Sequence, residues 1–331
     1  MKVVLPGGSG QIGTLLARHF LAGGHEVVVL SRSPSEARWR TAVWDGRTLG
    51  PWAREIDGAD VIVNLAGRSV DCRYTPANRA AILDSRVDST RVLGEAIARA
   101  DRPPPLWLQS STATIYAHRY DAPNDEATGR VGGDEPGAPD TWRFSIQVAQ
   151  AWEQAALDAV GTPAGDDASG VRLVLLRSAM VMSPDRGGVF DVLLGLVHRG
   201  LGGTSGDGRQ FVSWIHDADF VRALDWLIGH EEVSGAVNLA APNPLPNAAF
   251  MRALREAWGT RIGLPATRWM LEVGAVFMRT ETELVLKSRR VVPGRLLEHG
   301  FVFGHPTWPE AARDLVTRWR RGPRSLRSSA A

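Results

Sequence analysis

Lys2-Val3-Val4-Leu5-Pro6-Gly7-Gly8-Ser9-Gly10-Gln11-Ile12-Gly13 opens the chain, and this stretch decides the fold. Residues 2–5 form a short apolar run of the kind buried on both faces of a sheet. The run ends in a glycine cluster that satisfies both G-x-x-G-x-x-G and G-x-G-x-x-G. Beyond it Ile12, Leu15, Leu16, His19 and Phe20 recur at helical spacing until Gly23-Gly24 stops the pattern. Strand, glycine loop and helix in that order make a cradle for a pyrophosphate. One glycine allows the tight turn, one lets backbone N–H groups approach the phosphates, and one lets helix and strand pack closely. The helix N-terminus adds a positive dipole end. Gly7, Gly8, Ser9, Gly10, Gln11, Ile12 and Gly13 are therefore assigned to dinucleotide binding.

Further strand patterns lie at residues 26–30, 42–44, 60–65, 106–109 and 171–176, with helical patterns at 76–100 and 142–160. Continuous Val/Ile/Leu strands alternating with helices predict an α/β fold with a Rossmann-type, doubly wound parallel sheet. After Ser178 the rhythm changes. Helical patterns at 189–198, 217–228, 247–258 and 267–278 are parted by Gly/Pro loops, and one late strand falls at 237–239. The expectation is a dinucleotide-binding domain over 1–178, to which that strand returns. A small, mainly helical C-terminal lobe over 179–319 and a disordered tail over 320–331 follow. Residues 120–141, rich in Gly, Pro and Asp, read as a long lid-like excursion.

The end of the second strand discriminates between dinucleotides. An NAD site places Asp or Glu there for the ribose 2′-hydroxyl. This chain has Ser31-Arg32-Ser33. A guanidinium and two hydroxyls suit a 2′-phosphate, so NADP(H) is expected in preference to NAD(H). Asp45, after the third strand, is read either as a contact to the adenine edge or as a turn aspartate.

Composition excludes several classes. The 331 residues are 44% apolar and 22% charged, as in ordinary globular proteins. A net charge of +2 gives no whole-molecule field for nucleic acid. The lone Cys72 excludes an intrachain disulfide and a Cys-paired zinc site, and no metal cluster stands out. No apolar run reaches the roughly 18 residues of a membrane span. The N-terminus runs into structure without an apolar leader. A cytoplasmic protein is expected, with a small-molecule substrate and neither a nucleic-acid nor a membrane partner. The oligomeric state stays open, a homodimer among the options.

Four more segments complete a pattern: Asn64-Leu65-Ala66-Gly67, Ser110-Ser111-Thr112-Ala113-Thr114-Ile115-Tyr116, Leu176-Arg177-Ser178 and Trp214-Ile215-His216-Asp217. With the glycine loop they resemble the extended short-chain dehydrogenase/reductases, the NAD(P)-dependent epimerase/dehydratase superfamily. The match is closer still to an atypical branch labelled epimerase family proteins, which carries a C-terminal domain of unknown function. Ile82-Leu83-Asp84-Ser85-Arg86-Val87-Asp88-Ser89-Thr90, Gly206-Asp207-Gly208-Arg209-Gln210 and Pro293-Gly294-Arg295-Leu296-Leu297-Glu298-His299-Gly300-Phe301 carry that likeness. The resemblance implies that Gly7, Gly10 and Gly13 hold the pyrophosphate and that Arg32 reads the 2′-phosphate. It implies that Asn64, Ala66 and Gly67 pass beside the adenine side and ribose, with Ser110, Ser178 and Met180 also along the cofactor. Ser111 and Thr112 fall where the family keeps its catalytic hydroxyl, and Arg209 where sugar-nucleotide enzymes face substrate phosphates. Trp214 and His216 are placed on the substrate side. Asp71 and Arg73, within Asp71-Cys72-Arg73-Tyr74, read as substrate contacts at the cleft mouth or as a loop ion pair. Arg86 reads as a cofactor-cleft residue or as a helix-face ion pair with Asp84 or Asp88.

The proton-transfer pair of that family is missing. A tyrosine there exchanges a proton while hydride moves, and a lysine four residues on lowers its pKa. The chain has two lysines, Lys2 and Lys287, and three tyrosines, Tyr74, Tyr116 and Tyr120, none in Tyr-x-x-x-Lys spacing. With Glu153 as register, Ser145 stands at the tyrosine position and Ala149 at the lysine position; a one-residue shift puts Phe144 and Val148 there instead. Three readings remain. One is an NADP(H)-dependent oxidoreductase on a small carbonyl or hydroxyl substrate, with Ser145, Tyr116, His118, Tyr120 or His216 as substitute acid. The second is a nucleotide-sugar epimerase or dehydratase. The third is a non-catalytic NADP(H)-binding sensor or interaction protein.

Overall fold

Strand β1 (Lys2–Pro6) is buried from Val3 onward and lies inside a parallel sheet, paired on both sides. The computed structural model describes residues 1–33, 36–161, 170–267 and 283–322. Helix α1 (Gln11–Ala22) follows, then β2 (Glu26–Ser31), β3 (Arg40–Val43), β4 (Val61–Asn64), α2 (Pro76–Ala98), β5 (Leu106–Thr112), α3 (Asp140–Val160) and β6 (Arg172–Ser178). Thr75 starts α2: its hydroxyl accepts the Asn78 N–H at 3.3 Å, and Pro76 takes a first-turn position that needs no donor. The second half contributes β7 (Met180–Met182), α4 (Val189–His198), β8 (Phe211–Val212), β9 (Trp214–His216), α5 (Asp217–Gly229), β10 (Gly235–Leu239), β11 (Leu245–Pro246), α6 (Asn247–Trp258), α7 (Glu283–Leu286), α8 (Gly294–Glu298) and α9 (Trp308–Arg321).

The main sheet runs β10-β6-β5-β4-β1-β2-β3 with every pair parallel. The late strand is its edge, Val237 beside Leu176. Strand order reverses between β1 and β4, and in open α/β sheets that switch point opens the ligand crevice. Successive strand residues point to opposite faces. Val3, Leu5, Val27, Val29 and Val63 meet α1 and α5 through Leu16, Phe20, Phe220 and Leu224. Val4, Val28, Leu30, Ile62 and Trp107 meet α2 and α3 through Val92, Leu93, Ile97 and Ala156. A further core joins α4, α6 and α9 through Phe190, Phe250, Trp308 and Leu315.

Three expectations shift. Strand β3 begins at Arg40 and ends before Trp44, whose ring instead packs edge-on against Trp52 at 5.2 Å. The expected tail begins inside α9: Arg320 donates to the Trp258 carbonyl at 2.7 Å and lies over the Trp258 ring, which secures the last turn. The excursion over 120–141 is pinned, because Asn124 bridges to Val291 and Tyr116 to Val131. The helical pattern expected over 267–278 falls, from 268 on, outside the described residues, as does the tail beyond 322. No helix among the described residues is long and apolar enough to cross a membrane.

Candidate functional site

The glycine loop is shaped by backbone contact. Gly7 has φ +72°, and a Cβ there would lie 2.6 Å from Ala66 Cα. A Cβ on Gly13 would overlap the Gly8 backbone, and one on Gly8 would stand 2.8 Å from the Leu5 side chain. Gly10 caps α1 with no side-chain acceptor, and no acidic residue occupies the first turn. Those N-terminal N–H groups suit an anion. Ser9 and Gly10 are exposed, and Ile12 packs on the core. The Gln11 amide donates to the Asp185 carbonyl at 3.5 Å, which brings the segment before α4 across the loop.

At the ends of β2 and β3, Arg32, Trp44, Asp45, Thr48 and Trp52 line an open pocket of about 440 Å³. Ser31 is buried and its hydroxyl accepts the Ser33 N–H at 3.4 Å, while Arg32 and Ser33 are exposed. None of the described residues pairs with the Arg32 guanidinium. The Asp45 carboxylate accepts the Thr48 hydroxyl at 2.6 Å and the N–H groups of Thr48 and Arg47 at 2.9 and 2.8 Å. These bonds, the Thr48 hydroxyl first, hold its pKa at about 2. Asp45 therefore does form the turn.

Asn64 is fully buried. Its amide donates to Gln109 at 2.9 Å and its carbonyl accepts the Ala66 N–H at 3.1 Å, so it fixes the loop beneath Gly7. A Cβ on Gly67 would touch the Arg86 side chain at 3.2 Å. Arg86 donates to the Arg68 and Ile82 carbonyls, at 3.0 Å each, and lies over the Trp152 ring. Burial lowers its pKa to about 10. The ion-pair alternative does not form, for Asp88 meets Arg47 at 3.5 Å instead. The Ser110 carbonyl accepts from Gln109 at 3.0 Å, the Ser178 hydroxyl donates to Leu176 at 3.3 Å, and Met180 is half-buried in β7.

The expected catalytic hydroxyls divide. Thr112, at the end of β5, accepts the Thr114 N–H at 3.1 Å. Ser111 instead donates to Glu153 at 2.5 Å, inside a buried network. Glu153 takes two Arg177 N–H groups at 2.8 Å each; Arg177 donates to the Tyr116 hydroxyl at 3.1 Å, which donates to Asn238 at 2.9 Å. Tyr116, one of the expected substitute acids, is 2% exposed, its hydroxyl is bonded on both sides, and burial raises its pKa. His118 accepts the Ser288 N–H at 2.8 Å, and burial lowers its pKa.

The expected substrate residues are scattered. Asp71 and Arg73 are exposed, the Asp71 N–H meeting Ser69 at 3.2 Å. Arg209 is exposed, 5.9 Å from the Tyr120 ring. Trp214 and His216, expected on the substrate side, are both buried in the second half. Trp214 packs on Trp308 at 5.0 Å. His216 caps α5 through the Ala218 N–H at 3.1 Å and meets Asp314 at 3.0 Å. With His305, these two bring three possible metal ligands within 4.8 Å. The imidazoles stack at 3.7 Å, however, and the Arg318 guanidinium already reaches Asp314 at 3.2 Å and His216 at 3.5 Å. That cation occupies the place an ion would need.

A further cluster gathers at Ser145. Its hydroxyl donates to Glu283 at 2.5 Å and lies 3.5 Å from the Tyr74 hydroxyl. Glu283, 3% exposed on α7, is 3.9 Å from the Lys287 ammonium, which donates to the Thr114 carbonyl at 2.8 Å. Burial lowers the Lys287 pKa to about 8. Sequence reasoning assigned no role here to Tyr74, Glu283 or Lys287. The available signal was scarcity, since Lys287 is one of two lysines and Tyr74 one of three tyrosines.

The sequence profile of the NAD dependent epimerase/dehydratase family matches residues 3–240. The chain belongs to that family. A domain of unknown function, DUF1731, matches residues 266–315 of this epimerase/dehydratase family member. The human (Homo sapiens) epimerase family protein SDR39U1 is 31% identical over 96% of this chain and 100% of its own length. Epimerase family protein MT2273 of Mycobacterium tuberculosis is 32% identical over 96% and 98%. A crystal structure of human SDR39U1 (isoform2) with NADPH aligns with a TM-score of 0.81 at 30% identity, covering 96% of this chain and 99% of that one. The family member described here is an NAD(P)-binding extended short-chain dehydrogenase/reductase with a Rossmann-type sheet.

Proposed function

We propose that this family member is an NADP(H)-dependent oxidoreductase acting on a small carbonyl or hydroxyl compound. The observation that carries the cofactor preference is Arg32, an exposed guanidinium with no partner among the described residues, in the pocket at the ends of β2 and β3. The chain fits such a cofactor. Gly7 and Gly13 keep the loop open where side chains would collide, and the uncapped start of α1 would hold the pyrophosphate. Arg32, Ser31 and Ser33 would hold the 2′-phosphate, and Thr112, Ser178 and Met180 would lie along the nicotinamide half. The NADPH bound by human SDR39U1 supports the same reading. When bound, the cofactor supplies or accepts a hydride. The chain orients the substrate, excludes water and moves the accompanying proton. Fluorescence titration with NADPH and NADH tests the preference; tighter NADH binding would remove it. Incubation with NADPH and a panel of aldehydes, ketones and quinones tests the chemistry, and tight binding without turnover would point to a sensor.

A further inference from the structure

We infer that Tyr74, Ser145, Glu283 and Lys287 form a proton relay assembled from three separate segments, with Tyr74 the catalytic acid that touches substrate and the other three its positioning and supply residues. The inference deepens the oxidoreductase reading and rests on it. Position 145 holds a serine, too short and too weak an acid to do the work alone. A tyrosine from the segment before α2 brings its hydroxyl to 3.5 Å from that serine. The serine donates onward to Glu283 at 2.5 Å, and the other Glu283 oxygen lies 3.9 Å from Lys287. Exposure falls along the chain of groups: Tyr74 and Ser145 are half-buried, Glu283 is 3% exposed and Lys287 1%. The cationic end is sealed.

The sealed end is held by its own contacts. The Lys287 ammonium donates to Thr114, two residues past Thr112. Ser288 bonds the His118 ring and the Arg119 carbonyl at 2.8 and 3.0 Å, and the Ser213 hydroxyl reaches the Arg289 carbonyl at 2.6 Å. Glu283 and Glu135 favour the charged lysine, while burial, foremost, and Arg289 oppose it, and His118 also faces it. Tyr74 faces Ser145, Glu283, Arg86, Arg289 and Cys72.

In carbonyl reduction the substrate carbon takes a hydride from the reduced nicotinamide dinucleotide. The C=O π bond opens, and its oxygen takes the Tyr74 hydroxyl proton. The Lys287 ammonium protonates the Glu283 carboxylate, the Glu283 carboxyl group passes that proton to Ser145 as Ser145 gives its own to the Tyr74 oxygen, and Glu283 is left a carboxylate again. One proton leaves the lysine for each hydride accepted, and solvent returns it after product release. Alcohol oxidation runs the same steps backward.

Two measurements on the full chain test this. The first needs no cofactor: the Tyr74 phenolate is titrated by ultraviolet absorption, with Tyr74→Phe as the difference reference. Glu283→Gln is expected to lower the Tyr74 midpoint by about one pH unit, because a buried carboxylate nearby disfavours phenolate. Lys287→Met is expected to raise it. If neither variant moves the midpoint, the relay is overturned whether or not turnover exists. The second follows NADPH-dependent reduction of an aromatic dione and aliphatic aldehydes. Tyr74→Phe is expected to cut kcat roughly 100-fold with NADPH affinity unchanged. The wild-type rate should fall above about pH 8, a limb that Lys287→Met removes. Undiminished turnover by Tyr74→Phe, or the same limb in Lys287→Met, overturns the relay. NADPH binding without wild-type turnover sinks the oxidoreductase reading instead, and the phenolate titration then decides the relay alone.

Discussion

Glu153→Gln should be among the most damaging isosteric changes in this protein. Glu153 is 7% exposed and accepts three donors: two Arg177 N–H groups at 2.8 Å and the Ser111 hydroxyl at 2.5 Å. Glutamine keeps the shape, removes the charge and aims an N–H₂ at a group that is itself a donor. The Arg177 side chain is 14% exposed, and its other side-chain partner is the neutral Tyr116 hydroxyl, so no second carboxylate takes over. Removing one partner of a buried pair costs about 3–5 kcal/mol. The amide retains one acceptor, which places the loss near ~3 kcal/mol, a large share of the roughly 5–15 kcal/mol of a typical domain. Urea unfolding followed by far-ultraviolet circular dichroism measures it. A cycle with Arg177→Met should show that the double variant loses less than the two single losses added, with a coupling of about 2 kcal/mol. A loss below about 1 kcal/mol, as for a surface pair, would refute the reasoning, and so would strict additivity.

The remaining predictions concern cofactor and pH. Arg32→Ala should weaken NADPH binding by roughly 10-fold, the low end of about 1.5–3 kcal/mol for hydrogen bonds to a charged group because the site is exposed. NADH binding should not change, and both are read by fluorescence titration. Gly13→Ala drives a methyl into the Gly8 backbone and should cost about 1–3 kcal/mol in stability, read by urea unfolding, together with most NADPH affinity. Burial lowers the pKa of His216 and of His118 below the ordinary 6.5. Below that value the unfolded chain binds more protons than the folded one, so stability should fall as pH drops through 6.5 and below. Urea midpoints measured on either side of that window check this, and His216→Asn should flatten the fall.

What could be read from the sequence was local. The glycine loop, the two-faced strands and the helix starting at Pro76 each depend on neighbours a few residues apart, and each appears where the pattern put it. The position of Arg32, in the pocket at the ends of β2 and β3, was legible for the same reason, as one residue at the end of one strand. The packing of Trp214 and His216 was not legible, because their partners Trp308 and Asp314 lie far along the chain. The two build a buried helix cap and a stacked core. The Ser145 cluster was illegible because its partners stand 71 and 138 residues away, and no periodicity links them. Arg177 was quoted only as part of a motif, although it knots Glu153 to Tyr116. Its role depends on three strands lying side by side.

Ala149 on α3 and Val291 of the C-terminal segment belong to one buried cluster. Ala149 is fully buried and shares an apolar cluster with Tyr116 and Val291. An ammonium there would be desolvated against Val291, a cost that a charge without a paired carboxylate cannot recover. Val291 itself is fixed by its N–H on the Ser213 hydroxyl at 2.8 Å and by the bridge to Asn124. The small side chain at 149 is therefore what lets the 287–291 segment seat against α3. That same segment carries Lys287 to the Thr114 carbonyl, close to the strand end where the family keeps its catalytic hydroxyl. The Lys287 cation comes from a segment within the region matched by DUF1731, and Ser145 donates to Glu283 of the same segment. This packing makes Ala149, Ser145 and the C-terminal segment a single interdependent unit.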